Sequence, residues 1–91
     1  MKILQTNRFR KAYKNLHSNQ LPPVNQAIAD VIEDPDVGER KIGDLSWLRI
    51  HKFKLSGQLM LLGYSIEDTQ EVILTFIDLA PHENFYRDLK R

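Results

Sequence analysis

The stretch WLRIHKFKLSGQLMLLGYSIEDTQEVILTFIDL, residues 47–79, contains three segments of strand length in which apolar residues alternate with polar ones or run continuously. Ser56-Gly57 separates the first two segments, and the polar residues 67–70 separate the second from the third. Period-two alternation with short polar connections is typical of β-strands joined by tight turns. The stretch therefore predicts an antiparallel meander of three strands.

The residues before the meander predict a short strand and two helices. KILQ, residues 2–5, alternates weakly and is a candidate first strand. Apolar residues then recur with helical spacing in two segments: Phe9, Tyr13 and Leu16, followed by Val24, Ile28, Val31 and Ile32. Pro22-Pro23 suits the start of the second helix, and Pro35 with Gly38 suits its end. Two helices with a short joint form a helical hairpin.

The chain ends in a candidate third helix, PHENFYRDLKR, residues 81–91. Phe85 and Leu89 share one face of this helix and are expected to pack inward. The predicted order is β-α-α-β-β-β-α. We therefore expect a single α+β domain spanning residues 1–91. It would have a small antiparallel sheet of about four strands, the N-terminal hairpin on one face and a short C-terminal helix.

The amino-acid composition limits the classes of protein to which this chain can belong. The chain has no cysteine, no apolar run long enough to cross a membrane and no signal-like start, which predicts a cytoplasmic protein without a membrane partner. The net charge of +1 hides an asymmetry, because residues 30–39 hold five of the twelve acids and no base. The rest of the chain is therefore basic enough to attract a polyanion to one face, although solvated surface charge explains the composition equally well.

The first strand of the meander changes character along one face. Leu48 and Ile50 share that face with Lys52 and Lys54, so it passes from aliphatic to cationic. Either the strand end frays with its lysines in water, or the face enters an open, charged site.

The last helix supplies further candidate chemistry. His82 and Tyr86 lie four residues apart and share a face. The three histidines lack metal-ligand spacing and the glycines match no phosphate loop, so we expect no metal and no cofactor. What remains is acid–base chemistry on a polyanion, which suggests RNA cleavage by its own 2′-hydroxyl. His82 is then the candidate acid or base, Lys52 and Lys54 bind phosphate, and Tyr86 stacks on a base or donates a hydrogen bond. The candidate substrate-binding residues are Arg49, His51, Arg87, Lys90 and Arg91.

These residues resemble the RelE/ParE superfamily of bacterial type II toxins over nearly the whole chain. The segments that carry the resemblance are DPDVGERKIGDLSWLRIHKFKLSG (34–57), LMLLGYSI (59–66) and VILTFIDLAPHENFYRDLKR (72–91). The resemblance implies a microbial RNase fold whose sheet cups a cationic site. It also implies cleavage of mRNA in the ribosomal A site, and neutralisation by a cognate antitoxin that wraps the toxin.

The resemblance implies roles for individual residues as well. Lys52 and Lys54 match the K-x-K-L lysines of the family, which act on phosphate or as base. His82 falls where members carry a catalytic arginine or histidine, and Tyr86, with Phe85 as the alternative, falls at the aromatic residue that contacts the nucleotide.

The strand after Ser56-Gly57 departs from the RelE pattern. RelE-like nucleases carry an arginine there, whereas this chain reads GQLMLLGY, residues 57–64, without a cation. Either Arg49 or Lys54 replaces that arginine, or cleavage is weak, or the target differs.

The departure leaves two alternatives open. ParE-like members share the fold, do not need the nuclease residues and block DNA gyrase by protein binding. A weakly active or inactive antitoxin-binding relic is the third interpretation. In each case an antitoxin needs a groove, and the outer side of Phe9, Tyr13 and Leu16 is a candidate unless these residues are wholly buried in the core.

Overall fold

The computed structural model describes residues 1–89, which form one five-stranded sheet and three α-helices. The strands follow the order β1-β5-β4-β3-β2. In chain order the elements are β1 (Lys2–Gln5), α1 (Asn7–Lys14), α2 (Leu21–Glu33), β2 (Glu39–Arg40), β3 (Arg49–Leu55), β4 (Gln58–Asp68), β5 (Val72–Pro81) and α3 (His82–Leu89). Within this part of the chain, no helix is long and apolar enough to cross a membrane. The predicted α+β class, helical hairpin, meander and terminal helix are confirmed.

Two features of the sheet differ from the prediction. β2 adds a fifth strand, because Glu39 and Arg40 pair antiparallel with Ile50 and Arg49. β1 joins β5 in parallel, so the sheet is mixed rather than antiparallel. A two-residue strand is too short to show alternation, and parallel neighbours far apart in sequence have no turn between them to reveal the pairing.

The helical hairpin covers one face of the sheet. Thr6 caps α1, because its hydroxyl accepts a hydrogen bond from the Phe9 N–H at 3.0 Å and donates one to the Ile77 carbonyl at 2.6 Å. Pro22 and Pro23 lie in the first turn of α2. The buried residues of this core are Phe9, Val24, Ala27, Val31, Leu55, Met60, Leu62, Tyr64, Leu74, Phe76 and Leu79.

The opposite face carries a smaller core, and α3 packs on it. Phe85 is fully buried there with Leu48, Ile50 and Leu61. Gly63 makes this contact possible, because a Cβ at that position would lie 2.5 Å from the Phe85 ring. The helix therefore sits where β4 has no side chain. The side chain of Leu89, predicted to pack beside Phe85, lies outside what the structure describes.

Tyr64 fastens the connection between α2 and β2 to the sheet. Its hydroxyl donates a hydrogen bond to the Pro35 carbonyl at 2.7 Å and accepts one from the Gly38 N–H at 2.9 Å. Burial raises the pKa of Tyr64 above its usual value, so the hydroxyl keeps the proton that it donates. A Cβ on Gly38 would lie 2.5 Å from this hydroxyl, so the connection can approach only because that residue is glycine.

We expect Tyr64→Phe to lower the free energy of unfolding by about 1–3 kcal/mol, because it leaves two backbone groups without their partner. Urea unfolding at neutral pH measures the change. Tyr13→Phe is the control, since it removes a hydroxyl that bonds to Asn25 at an exposed position, and it should cost less than about 1 kcal/mol. Equal losses in the two variants would contradict the role assigned to Tyr64.

Candidate functional site

β3 places its two lysines on the face of the sheet that α3 covers. Lys52 and Lys54 follow Ile50 in alternation, and their antiparallel partners on β4 are Leu61 and Leu59. Ile50 and Leu61 belong to the core beneath α3, whereas both lysines are exposed. This face therefore passes from a packed apolar region to a cationic one, as the alternation predicted.

Arg49 and His51 lie on the opposite face, beneath the helical hairpin. The Arg49 guanidinium is 3.4 Å from the Asp36 carboxylate, and His51 Nε2 is 3.8 Å from the Asp30 carboxylate. Both acids belong to the acidic stretch that the sequence shows between residues 30 and 39. The structure does not bring these two predicted substrate-binding residues to the lysine face.

α3 begins at the cationic end of the sheet. Pro81, the last residue of β5, pairs with Met60, one position along β4 from the partner of Lys54. His82 follows directly and is exposed. The Tyr86 ring lies edge-on to the His82 ring with centroids 6.5 Å apart. The strand register and the start of the helix therefore place the predicted catalytic residues on one face.

Tyr86 is also flanked by a cation that sequence reasoning missed. Lys41 Nζ lies 5.3 Å from the centroid of the Tyr86 ring, within the range of a cation–π interaction. The Tyr86 hydroxyl is buried and makes no hydrogen bond of standard geometry within residues 1–89. Attraction to that hydroxyl raises the pKa of Lys41 above its usual value, against the opposing effect of partial burial.

The register of β2 is the signal that could have revealed Lys41. Glu39 pairs with Ile50, and two residues later the Lys41 N–H donates a hydrogen bond to the Leu48 carbonyl at 3.0 Å. Because cross-strand neighbours share a face, Glu39 and Lys41 both lie on the side that Ile50 and Leu48 present to α3. Glu39 accordingly forms an ion pair with Lys52, with 3.9 Å between Oε2 and Nζ. Recognising β2 in the sequence would have placed Glu39 and Lys41 on the α3 face.

The end of α3 supplies one further candidate cation. Arg87 is exposed and donates a hydrogen bond to Asn84 Oδ1 at 3.3 Å. Lys90 and Arg91, which the sequence analysis assigned to substrate binding, lie outside the described residues. The described candidate site thus consists of Lys52 and Lys54 on β3, and His82, Tyr86 and Arg87 on α3, with Lys41 beside Tyr86.

A family model for the ParE-like toxins of type II bacterial toxin-antitoxin systems matches residues 3–90. The chain belongs to this family. The match spans nearly the whole chain and agrees with the predicted membership of the RelE/ParE superfamily. No curated protein sequence matches the chain at a significant level.

Solved structures of RelE from E. coli share the fold of this ParE-like toxin. A doubly substituted RelE variant in the free state superposes with a TM-score of 0.69 and 19% identity, covering 99% of this chain and 95% of that chain. RelE in the intact RelBE toxin-antitoxin complex gives 0.68 and 20%, covering 87% and 93%. The RelE variant bound to an antitoxin RelBc peptide gives 0.68 and 19%, covering 98% and 90%. At these identities the likeness shows the fold.

We expect Gly63→Ala to displace Phe85 and loosen α3, because the added Cβ would overlap the ring. Overpacking of this kind costs about 1–3 kcal/mol, and urea unfolding measures the loss. Hydrogen exchange should also accelerate in α3 more than in the central strands.

Two further variants test this explanation. Adding Phe85→Leu to Gly63→Ala makes room for the Cβ and should recover part of the lost stability. Ser65→Ala, a change on the same strand away from Phe85, should leave exchange in α3 unchanged. Unchanged stability and exchange in Gly63→Ala would show that α3 does not depend on this contact.

Proposed function

We propose that this toxin is a ribosome-dependent mRNA endonuclease that inhibits translation in the cytoplasm and needs no metal. The observation that carries the proposal is that Lys52, Lys54, His82 and Tyr86 lie on one face of the sheet. Lys52, Lys54 and His82 are exposed, so a substrate can reach them. The fold common to this chain and RelE supports the same assignment.

The proposed reaction is attack of a ribose 2′-oxygen on the adjacent phosphorus, with cleavage of the bond from phosphorus to the 5′-oxygen. One group takes the 2′-hydroxyl proton, another gives a proton to the departing 5′-oxygen, and the products are a 2′,3′-cyclic phosphate and a free 5′-hydroxyl. His82 provides one of these groups, since its imidazole is exposed and a histidine side chain can accept or donate a proton in general acid–base catalysis. Lys52 and Lys54 stabilise the negative charge that develops on the phosphate oxygens.

The substrate-binding set proposed here is smaller than the one proposed from the sequence. Arg49 and His51 are paired with acids on the hairpin face, so we assign them to the attachment of α2 and its following connection. Arg87, with Lys90 and Arg91, remains assigned to the phosphates of the bound RNA.

His82→Ala is expected to lower cleavage of a ribosome-bound message at least about tenfold, the lower limit for loss of a general acid or base. Primer extension in a translating extract measures this, with breaks expected in phase with the A-site codon. His17→Ala is the control, because His17 is exposed in the hairpin connection, away from the site. Equal cleavage by the His82→Ala and wild-type proteins would show that His82 takes no part in the mechanism.

Gyrase inhibition is the second candidate function. It is favoured by the match to the ParE-like family model. The same extract distinguishes the two functions, because a gyrase inhibitor leaves the message intact. Loss of DNA supercoiling by purified gyrase would then identify the protein as a binding inhibitor.

We also propose that a cognate antitoxin binds the groove between the helical hairpin and β1. A cavity of about 300 Å³ is lined there by Ile3, Leu4, Gln5, Phe9, Tyr13, Asn25, Ile28, Ile32 and Phe76. Ile3 and Leu4 are 45% and 42% exposed, and β1 is an edge strand. An exposed edge beside an apolar groove suits a peptide that adds a strand or inserts apolar side chains. Phe9 and Tyr13 line this groove as proposed from the sequence, whereas Leu16 packs against the core.

We expect Leu4→Glu to weaken binding of the cognate antitoxin at least about tenfold, because it would bury a charge in an apolar contact. Isothermal titration calorimetry measures the affinity. Ile42→Glu is the matched control, since Ile42 is 90% exposed and follows β2 at the opposite edge of the sheet. The groove would be excluded as the antitoxin site if the two variants bound the antitoxin equally well.

A further inference from the structure

Strand β4 contributes no cation to the proposed active site. Its residues on the α3 face are Leu59, Leu61 and Gly63, as their pairing with β3 shows. The sheet strands beneath α3 therefore offer a bound phosphate only Lys52 and Lys54 of β3, and further positive charge comes from α3 itself, through Arg87, or from another element of the chain.

The connection after β2 supplies such a charge. Its backbone is fixed where the Lys41 N–H bonds to the carbonyl of fully buried Leu48 at 3.0 Å. The pairing of β2 directs the Lys41 side chain to the α3 face, the face on which Lys52 and Lys54 lie. Lys41 thus reaches the site from the edge of the sheet.

The aromatic ring of α3 then orients the Lys41 side chain. Its Nζ lies 5.3 Å from the centroid of the Tyr86 ring, where the negative face of the ring attracts an ammonium group. Tyr86 itself packs against the Phe85 ring with centroids 5.3 Å apart, and Phe85 is fully buried. The ammonium group is therefore supported by a rigid part of the small core.

Lys41 remains charged in this position. Its interaction with Tyr86 raises its pKa, and the nearby Glu39 carboxylate acts in the same direction. Because Glu39 pairs with Lys52 at 3.9 Å, it offsets part of the positive charge on that lysine. Lys41 carries a full positive charge throughout the physiological pH range.

We infer that Lys41 is a phosphate-binding residue of the active site, held by the Tyr86 ring so that its ammonium group supplies the positive charge that β4 lacks. The inference rests on the proposed nuclease function and extends it to a residue outside the predicted site. The ligand is a phosphodiester of single-stranded RNA. Tyr86 becomes a positioning residue for Lys41, in addition to its contact with His82.

The step assigned to Lys41 involves no proton transfer. As the 2′-oxygen bonds to phosphorus and the 5′-oxygen leaves, charge accumulates on the non-bridging oxygens. The ammonium group donates hydrogen bonds to one of these oxygens and keeps all its protons. Proton removal from the 2′-hydroxyl and proton delivery to the 5′-oxygen remain with other groups, including His82.

The first test compares three variants in the translating extract. Lys41→Met removes the charge while keeping the length of the side chain, and should lower the cleavage rate about 10²-fold, as loss of one transition-state donor does. Lys41→Arg should restore most of the activity. Lys2→Met is the control, because it removes the same charge from β1, at the opposite edge of the sheet.

The second test measures binding of a 2′-O-methylated RNA oligonucleotide, which this reaction cannot cleave, at several salt concentrations. Loss of one phosphate contact should reduce the slope of log affinity against log salt by about 0.7 for a single strand. Lys41→Met should show this reduction and Lys2→Met should not. Tyr86→Leu, which removes the ring that holds Lys41, should resemble Lys41→Met.

The two tests separate this inference from the proposed function. An unchanged slope in Lys41→Met overturns the inference, whether or not cleavage falls, because a lysine with a purely structural role would leave phosphate binding intact. Normal cleavage by Lys41→Met beside an active wild type also overturns it. If the wild type leaves messages intact, the nuclease proposal fails, and a Lys41-dependent slope would still identify the phosphate site.

Discussion

The close approach of Phe85 to Gly63 is the contact on which the candidate site depends. α3 has eight residues, and an isolated helix of that length is unstable in water. Its position is therefore set by the burial of Phe85 against Leu48, Ile50 and Leu61. Any side chain on residue 63 would occupy the space of the Phe85 ring. His82 and Tyr86 lie in the same short helix as Phe85. The absence of a Cβ at Gly63 therefore also determines the positions of these two side chains.

β3 separates the charges of the chain into two environments. On the hairpin face, Asp36 lies against the Arg49 guanidinium and Asp30 lies against the His51 imidazole, so carboxylates offset positive charge there. On the α3 face, Glu39 is the carboxylate paired with Lys52, and cations predominate. A chain with a net charge of only +1 can in this way present a locally positive surface to a polyanion. Overall charge is therefore a poor guide to whether this fold can bind RNA.

Much of the fold could be predicted because its signals are local. The meander follows from alternation and short turns, and the lysine face follows from period two along β3. The sheet edges could not be predicted, since β2 has only two residues and β1 pairs with a strand distant in sequence. Lys41 was missed for the same reason, because its face is set by the register of β2. Arg49 and His51 were assigned to substrate binding because the sequence does not show which acids approach them. Those acids come from α2 and the connection after it.

The distribution of cations on the α3 face bears on the choice between catalysis and protein binding. Lys41, Lys52 and Lys54 share that face, where Glu39 pairs with Lys52 at an exposed position and the Tyr86 ring lies beside Lys41. Charged side chains gathered on one face are expected where a site requires them, and a phosphate is a ligand that the cations of the α3 face would attract. Under the proposed function, the chain meets the charge requirement of a phosphate site from β3, α3 and the connection after β2, without a cation on β4.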